Sequence, residues 1–129
     1  MTGKILIIED DASTSQFLTY TMECEGYQVI TALDGIDGLK KALTEKPDLI
    51  ILDIMLPGLD GFELCHRLRA YAPTADIPVL MLSAKAQDAD KSAAFKMGAN
   101  YYMVKPANPA TIVDAVKNML NQPTPGAIK

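Results

Sequence analysis

The polar residues of this chain that could do chemistry stand at the ends of short apolar runs. Ile5–Ile8 is followed by Glu9-Asp10-Asp11, and Leu49–Leu52 by Asp53. Val79–Leu82 is followed by Ser83, and Tyr101–Val104 by Lys105-Pro106. Two carboxylates about 5 Å apart repel by roughly 3 kcal/mol at an effective dielectric near 20. Gathering Glu9, Asp10 and Asp53 at one place therefore calls for a cation. An all-oxygen site with few protein carboxylates suits Mg2+, which keeps coordination positions open for water or phosphate. Ser83 could donate to a phosphate oxygen, and Lys105 supplies a positive charge. Carboxylates, metal, hydroxyl and ammonium around one exposed Asp make a site for holding a phosphoryl group on Asp53.

Taken singly, each residue has a plainer role. A strand-terminal Asp commonly caps a helix or sits in a solvated turn, and Glu9-Asp10-Asp11 could complement a helix dipole. Together they point to a site: each ends a run, and parallel strands would bring the ends to one rim.

The elements that must do this positioning are legible. The four runs are too short for helices and continuous rather than alternating, as strands covered on both faces are. A weaker run, Tyr27–Leu33, makes a fifth. Between them lie amphipathic stretches. Phe17, Leu18, Thr21, Met22 and Cys24 recur at helical spacing before Gly26. Ile36, Leu39 and Leu43 do so before Pro47, and Ala93, Ala94 and Met97 before Gly98. Asp60 with Glu63 resembles a capping box ahead of Phe62, Leu64, Cys65 and Leu68. Asn108-Pro109 opens a helix carrying Ile112, Val113, Val116 and Leu120. Five β-α units in succession imply a parallel sheet with helices on both faces, and such sheets bind ligands beyond the carboxyl ends of their strands.

Composition narrows the function classes. The 129 residues carry 12 Lys+Arg against 16 Asp+Glu, a net charge of −4, with 49% hydrophobic and 22% charged residues. That is one ordinary globular domain. An acidic balance argues against direct binding to nucleic acid or an anionic membrane, and no run approaches the ~20 apolar residues of a membrane span. Met1-Thr2-Gly3-Lys4 precedes too few apolar residues for a signal peptide. Cys24 and Cys65, neither in a CxxC, fit reduced thiols packed as small hydrophobes in a cytoplasmic protein. Residues 1–122 are expected to form the domain, with 123–129, which includes Pro123 and Pro125, a disordered tail or the start of a linker.

At these residues the chain resembles a response-regulator receiver domain, the phospho-acceptor module of two-component signalling. The matching segments are Ile7-Ile8-Glu9-Asp10-Asp11, Leu52-Asp53-Ile54-Met55-Leu56-Pro57-Gly58-Leu59-Asp60-Gly61, Leu82-Ser83-Ala84 and Val104-Lys105-Pro106. The resemblance implies a flavodoxin-like (βα)5 sandwich with strand order 2-1-3-4-5. It implies Asp53 as acceptor of a phosphoryl group from a phosphohistidine of a sensor histidine kinase or histidine phosphotransfer protein. Mg2+ would be held by Asp10, Asp53 and the backbone carbonyl of Met55, and by Glu9 through water. Ser83 and Lys105 would bind the phosphate, and Tyr102 would be the aromatic switch residue. Met55 and Lys85 stand where side chains tune phosphate lifetime, and hydrophobic Met55 suggests slow self-hydrolysis. Lys105-Pro106 would be a cis peptide. The switched surface of helix four, strand five and helix five would then control an output domain or protein. Ala107-Asn108-Pro109 after Lys105-Pro106, with few charges beyond, points to a monomer or a weak phosphorylation-dependent dimer.

Two rivals are weaker. A Mg2+-dependent phosphatase of the haloacid-dehalogenase type needs a second Asp two residues after the acceptor, where this chain has Met55. A pseudo-receiver scaffold would lack an acid, the acceptor or the Lys, and all are present. His66, Lys40, Lys41, Arg67 and Arg69 read as solvated surface positions.

Overall fold

The apolar runs form one parallel sheet covered on both faces. The computed structural model describes residues 3–121. Its elements are β1 (Lys4–Ile8), α1 (Ala12–Cys24), β2 (Gln28–Ala32), α2 (Gly35–Glu45), β3 (Leu49–Leu52) and α3 (Gly61–Ala70). A 3-10 turn (Ala72–Thr74), β4 (Val79–Ser83), α4 (Asp88–Met97), β5 (Tyr101–Val104) and α5 (Pro109–Asn121) follow. Every strand pairing is parallel, and the sheet order is β2-β1-β3-β4-β5, the doubly wound order expected. The tail expected at 123–129 lies outside the described residues.

The twofold period of a strand divides the core. Leu6, Ile8, Ile50, Leu52, Val79 and Met81 face one side with Leu64, Cys65 and Leu68 of α3 and Ala94 of α4. Ile5, Ile7, Leu49, Ile51, Leu80, Leu82 and Met103 face the other, with Leu18 and Met22 of α1 and Ile112 and Val116 of α5. This burial on both faces is why the strands read as continuous apolar runs. Helix starts are set by side-chain caps: Asp11, Asp34 and Asp60 accept from the backbone N–H of Thr14, Asp37 and Glu63. Asp60 caps as expected, while the Glu63 carboxylate turns to Arg67 Nε at 3.1 Å. Gly98, at φ 110°, ends α4. The Lys105-Pro106 peptide is cis.

Several readings of individual residues need correction. Phe17 and Cys24 are exposed, because α1 buries Ser15, Leu18 and Met22 and turns the other two outward. In α2 the buried residues are Gly35, Gly38 and Ala42 rather than Ile36 and Leu43. That helix approaches the sheet too closely for large side chains, since a Cβ on Gly38 would lie 2.7 Å from Ile8 Cδ1. Arg69 is not a solvated position. It donates to the carbonyls of Gly98 (3.0 Å), Ala75 (3.2 Å) and Ile77 (2.7 Å) and to Asn100 Oδ1 (2.7 Å). His66 is exposed as expected. No helix among the described residues is long and apolar enough to cross a membrane.

Candidate functional site

Parallel register brings the strand ends together. Ile8 pairs with Leu52, so Glu9 and Asp53 leave adjacent strands side by side, with the Asp53 N–H donating to Ile8 O at 3.1 Å. On the far side of the rim, the Lys105 N–H donates to Ser83 O at 2.8 Å. One carboxylate oxygen from each of Glu9, Asp10 and Asp53 lies within 4.8 Å of the others. Asp10 is exposed, but Glu9 and Asp53 retain only 3% and 7% of their accessible surface. Asp53 is therefore not the exposed aspartate that the strand-end reading implied: like Glu9 it is recessed below the surface at the rim.

Lys105 Nζ reaches into that recess, donating to Glu9 Oε1 and, at 3.0 Å, to Asp53 Oδ2. Burial works against its charge, yet the hydrogen bonds to Glu9 and Asp53 outweigh burial and hold its pKa above the ordinary lysine value. For Glu9 the balance falls the other way. Burial pushes the carboxyl above its usual range despite the bond from Lys105, and the nearby Asp53 charge adds to the effect. Three carboxylates against one ammonium leave two formal negative charges in the recess when all are ionised. The donor set is all oxygen and carries excess negative charge, which fits a small hard divalent cation such as Mg2+.

Neighbouring backbone fixes the carboxylates. Glu9 Oε2 accepts from Asp11 N at 3.0 Å, and Asp53 Oδ1 accepts from Met55 N at 3.3 Å. Asp11 itself is turned to α1, where Oδ2 accepts from Thr14 Oγ1 at 2.7 Å and Thr14 N at 2.8 Å. Those bonds hold its carboxyl below the usual range.

Ser83, Lys85 and Tyr102 make an adjoining relay. The fully buried Ser83 accepts the Lys85 N–H on Oγ at 3.3 Å, and the Tyr102 hydroxyl donates to Lys85 O at 2.6 Å. Tyr102 packs against the α3 side of the core, and burial raises its phenol pKa. Tyr101 points outward instead, as strand alternation requires. The Ser83 hydroxyl bonds neither Asp53 nor Lys105 Nζ, so the relay meets the acidic recess through backbone. Met55 stands at the rim with its side chain exposed.

Sequence reasoning gave Gly61 no role of its own, although it closes the matching segment 52–61. A Cβ there would lie 2.3 Å from Asp53 O, and its N–H donates to Ile54 O at 2.8 Å, so α3 starts directly against the Asp53 backbone. The local signal was a glycine following the capping Asp60.

Most of the chain is similar to known proteins. The family model described as response regulator receiver domain matches residues 5–117. The chain is 48% identical over 122 residues to the alkaline phosphatase synthesis transcriptional regulatory protein PhoP of Bacillus subtilis, covering 95% of this chain and 50% of that protein. The chain spans about half the length of the curated relatives it matches. Among solved structures, the chemotaxis response regulator CheY4 of Vibrio cholerae superposes with a TM-score of 0.87 at 32% identity, covering 92% of this chain and 99% of that one. The receiver domain of a sensor histidine kinase from Pseudomonas aeruginosa superposes with a TM-score of 0.88 at 26% identity, covering 95% of this chain and 100% of that one. That structure has a magnesium ion coordinated in the active site cleft.

Proposed function

This chain belongs to the response regulator receiver domain family, and from that premise we propose that it is a phospho-acceptor with Asp53 as the acceptor. The observation that carries the reading is the buried Asp53 carboxylate, clustered with Glu9 and Asp10 and touched by Lys105. The donor is a phosphohistidine of a sensor histidine kinase or a histidine phosphotransfer protein. An Asp53 carboxylate oxygen bonds to phosphorus as the P–N bond breaks. The electron pair of that bond stays with the imidazole nitrogen, and Asp53 becomes an acyl phosphate.

Asp10, Asp53 and the Met55 carbonyl would hold Mg2+, with Glu9 acting through water. Bound there, Mg2+ supplies positive charge to the carboxylates and to the phosphoryl oxygens. Lys105 exchanges its Asp53 contact for a phosphate oxygen, so its charge follows the one that develops. Ser83 donates its hydroxyl to another oxygen. The protein catalyses only its own phosphorylation and a slow autodephosphorylation, with Met55 and Lys85 beside the phosphate setting its lifetime.

Phosphorylation adds about 1.5 to 2 negative charges and strong acceptor oxygens. Drawing Ser83 toward them pulls on the Lys85 N–H, and the Lys85 carbonyl is where Tyr102 is anchored. The equilibrium of α4, β5 and α5 shifts, and an output partner reads that surface. Relatives of twice this length are transcriptional regulators, which supports a DNA-binding output region outside this acidic domain. The domain itself is read as cytoplasmic, free of nucleic acid and membrane, and monomeric or weakly dimeric when phosphorylated.

The chemistry of the adduct tests the assignment. After treatment with a small phosphodonor and Mg2+, hydroxylamine should release the added phosphoryl group, as it does an acyl phosphate. A hydroxylamine-stable adduct would place the group on a hydroxyl such as Ser83 and overturn the reading.

A further inference from the structure

The segment 53–61 runs from the end of β3 to the start of α3 and carries the Met55 carbonyl. At its far end Gly61 packs on Asp53 O, so that end is held by its own helix. In the middle, the Leu56 N–H donates to Ile54 O at 3.1 Å and the Leu59 N–H to Pro57 O at 3.0 Å. What holds the middle from outside is the first turn of α2. A helix leaves its first N–H groups without internal partners. At α2, the cap Asp34 takes the Asp37 N–H, while the Gly35 N–H donates to Pro57 O at 3.4 Å.

Gly35 lies against this segment with no room for a side chain. A Cβ would stand 1.9 Å from Leu59 O and 2.7 Å from Leu59 C. Those atoms are backbone, so no change of rotamer relieves the overlap. Leu59 is also buried in the core and cannot swing outward. The segment itself must move. Toward its other end lies the backbone of Met55, whose N–H bonds Asp53 Oδ1.

We propose that Gly35 is a positioning residue of the metal site, its bare Cα and N–H setting the 53–61 segment so that the Met55 backbone stays against the Asp53 carboxylate. The proposal rests on Mg2+ being held there. Its distinguishing feature is that an α2 residue contributing no ligand controls metal affinity, which a residue that serves stability alone does not. Gly98 supplies the contrast: a Cβ there would lie 2.5 Å from Arg69 Cγ, at the opposite end of the sheet from the acids.

The test is a calorimetric Mg2+ titration of wild type, Gly35→Ala and Gly98→Ala, with an unfolding curve for each. Gly35→Ala should weaken Mg2+ binding by about tenfold, the scale on which outer-shell supports act. Gly98→Ala should lower the unfolding midpoint and leave Mg2+ affinity at the wild-type value. Hydrogen exchange on wild type decides the matter if Gly35→Ala does not fold: Mg2+ should slow exchange of the Gly35 and Leu59 amides. Wild-type affinity in Gly35→Ala, or exchange at both amides indifferent to Mg2+, overturns the proposal while the acceptor reading stands. Absence of saturable Mg2+ binding in wild type removes both.

Discussion

Lys105 Nζ sits 3.0 Å from Asp53 Oδ2 and also bonds Glu9 Oε1, so one ammonium directly after β5 bridges the carboxylates that directly follow β1 and β3. This cation already occupies part of the space where metal and phosphate are proposed to act. The recess therefore has two ways of balancing its charge, an internal lysine or an added divalent ion.

Removing the lysine should expose that competition. Lys105→Met keeps the apolar stem but leaves Glu9 and Asp53 without their bonds. In chelator it should cost about 1–3 kcal/mol, the scale of a lost charge-assisted hydrogen bond. Thermal melts should then show a larger rise in Tm on adding Mg2+ than wild type shows. An equal rise in both proteins would mean that Lys105 and the metal do not share this charge.

Glu9 provides the pH dependence. Its folded carboxyl is pushed above the ordinary value of 4.5, by burial first. The folded state thus holds the proton more tightly than the unfolded one. The stability this provides is full below about 4.5 and is lost as pH rises through the folded value. Urea denaturation of wild type and Glu9→Gln in chelator should show wild type losing stability relative to the variant across that window as pH increases. Mg2+ binding should weaken as pH falls through it. A constant difference between the two proteins from pH 4.5 to neutrality would contradict the assignment.

Arg69 ties the C-terminal end of α3 to the turn before β4 and to the α4–β5 connection, through Ala75, Ile77, Gly98 and Asn100. Asn100 Oδ1 also accepts from Val79 N at 2.8 Å, so the guanidinium steadies the start of β4. Arg69→Met should lower stability by about 2–4 kcal/mol, because several part-buried carbonyls lose their donor. Arg69→Lys should recover less than half, since an ammonium cannot reproduce the planar fork. A loss below about 0.5 kcal/mol, typical of surface changes, would show the network to be incidental.

How far the sequence carried this picture depends on the kind of interaction involved. The run 49–52 coincides with β3 to the residue, because continuous apolar character is what two covered faces demand, and 101–104 coincides with β5 although this edge strand leaves Tyr101 exposed. Glu9, Asp10, Asp53 and Lys105 could be paired from opposite ends of the chain because parallel strands share one carboxyl rim. The burial of Asp53 was not legible, since it depends on how surrounding helices and loops close. Arg69 was misread for a related reason: three of its four partners are backbone carbonyls, which no residue type advertises. The same holds for Gly35 and Gly61, whose role is the absence of a side chain beside a neighbouring peptide. Phe17 and Ile36 show the converse error, in which apolar character suggested burial but helix orientation put both at the surface.

The central claim is that Asp53 accepts a phosphoryl group with the help of a divalent cation. Intact mass measured after incubation with a small phosphodonor tests it most directly, on wild type and Asp53→Asn, each with Mg2+ or with chelator. Wild type with Mg2+ should gain one phosphoryl group, and neither Asp53→Asn nor wild type in chelator should gain any. Equal modification of wild type and Asp53→Asn, or an unmodified wild type that is folded and saturated with Mg2+, would contradict it.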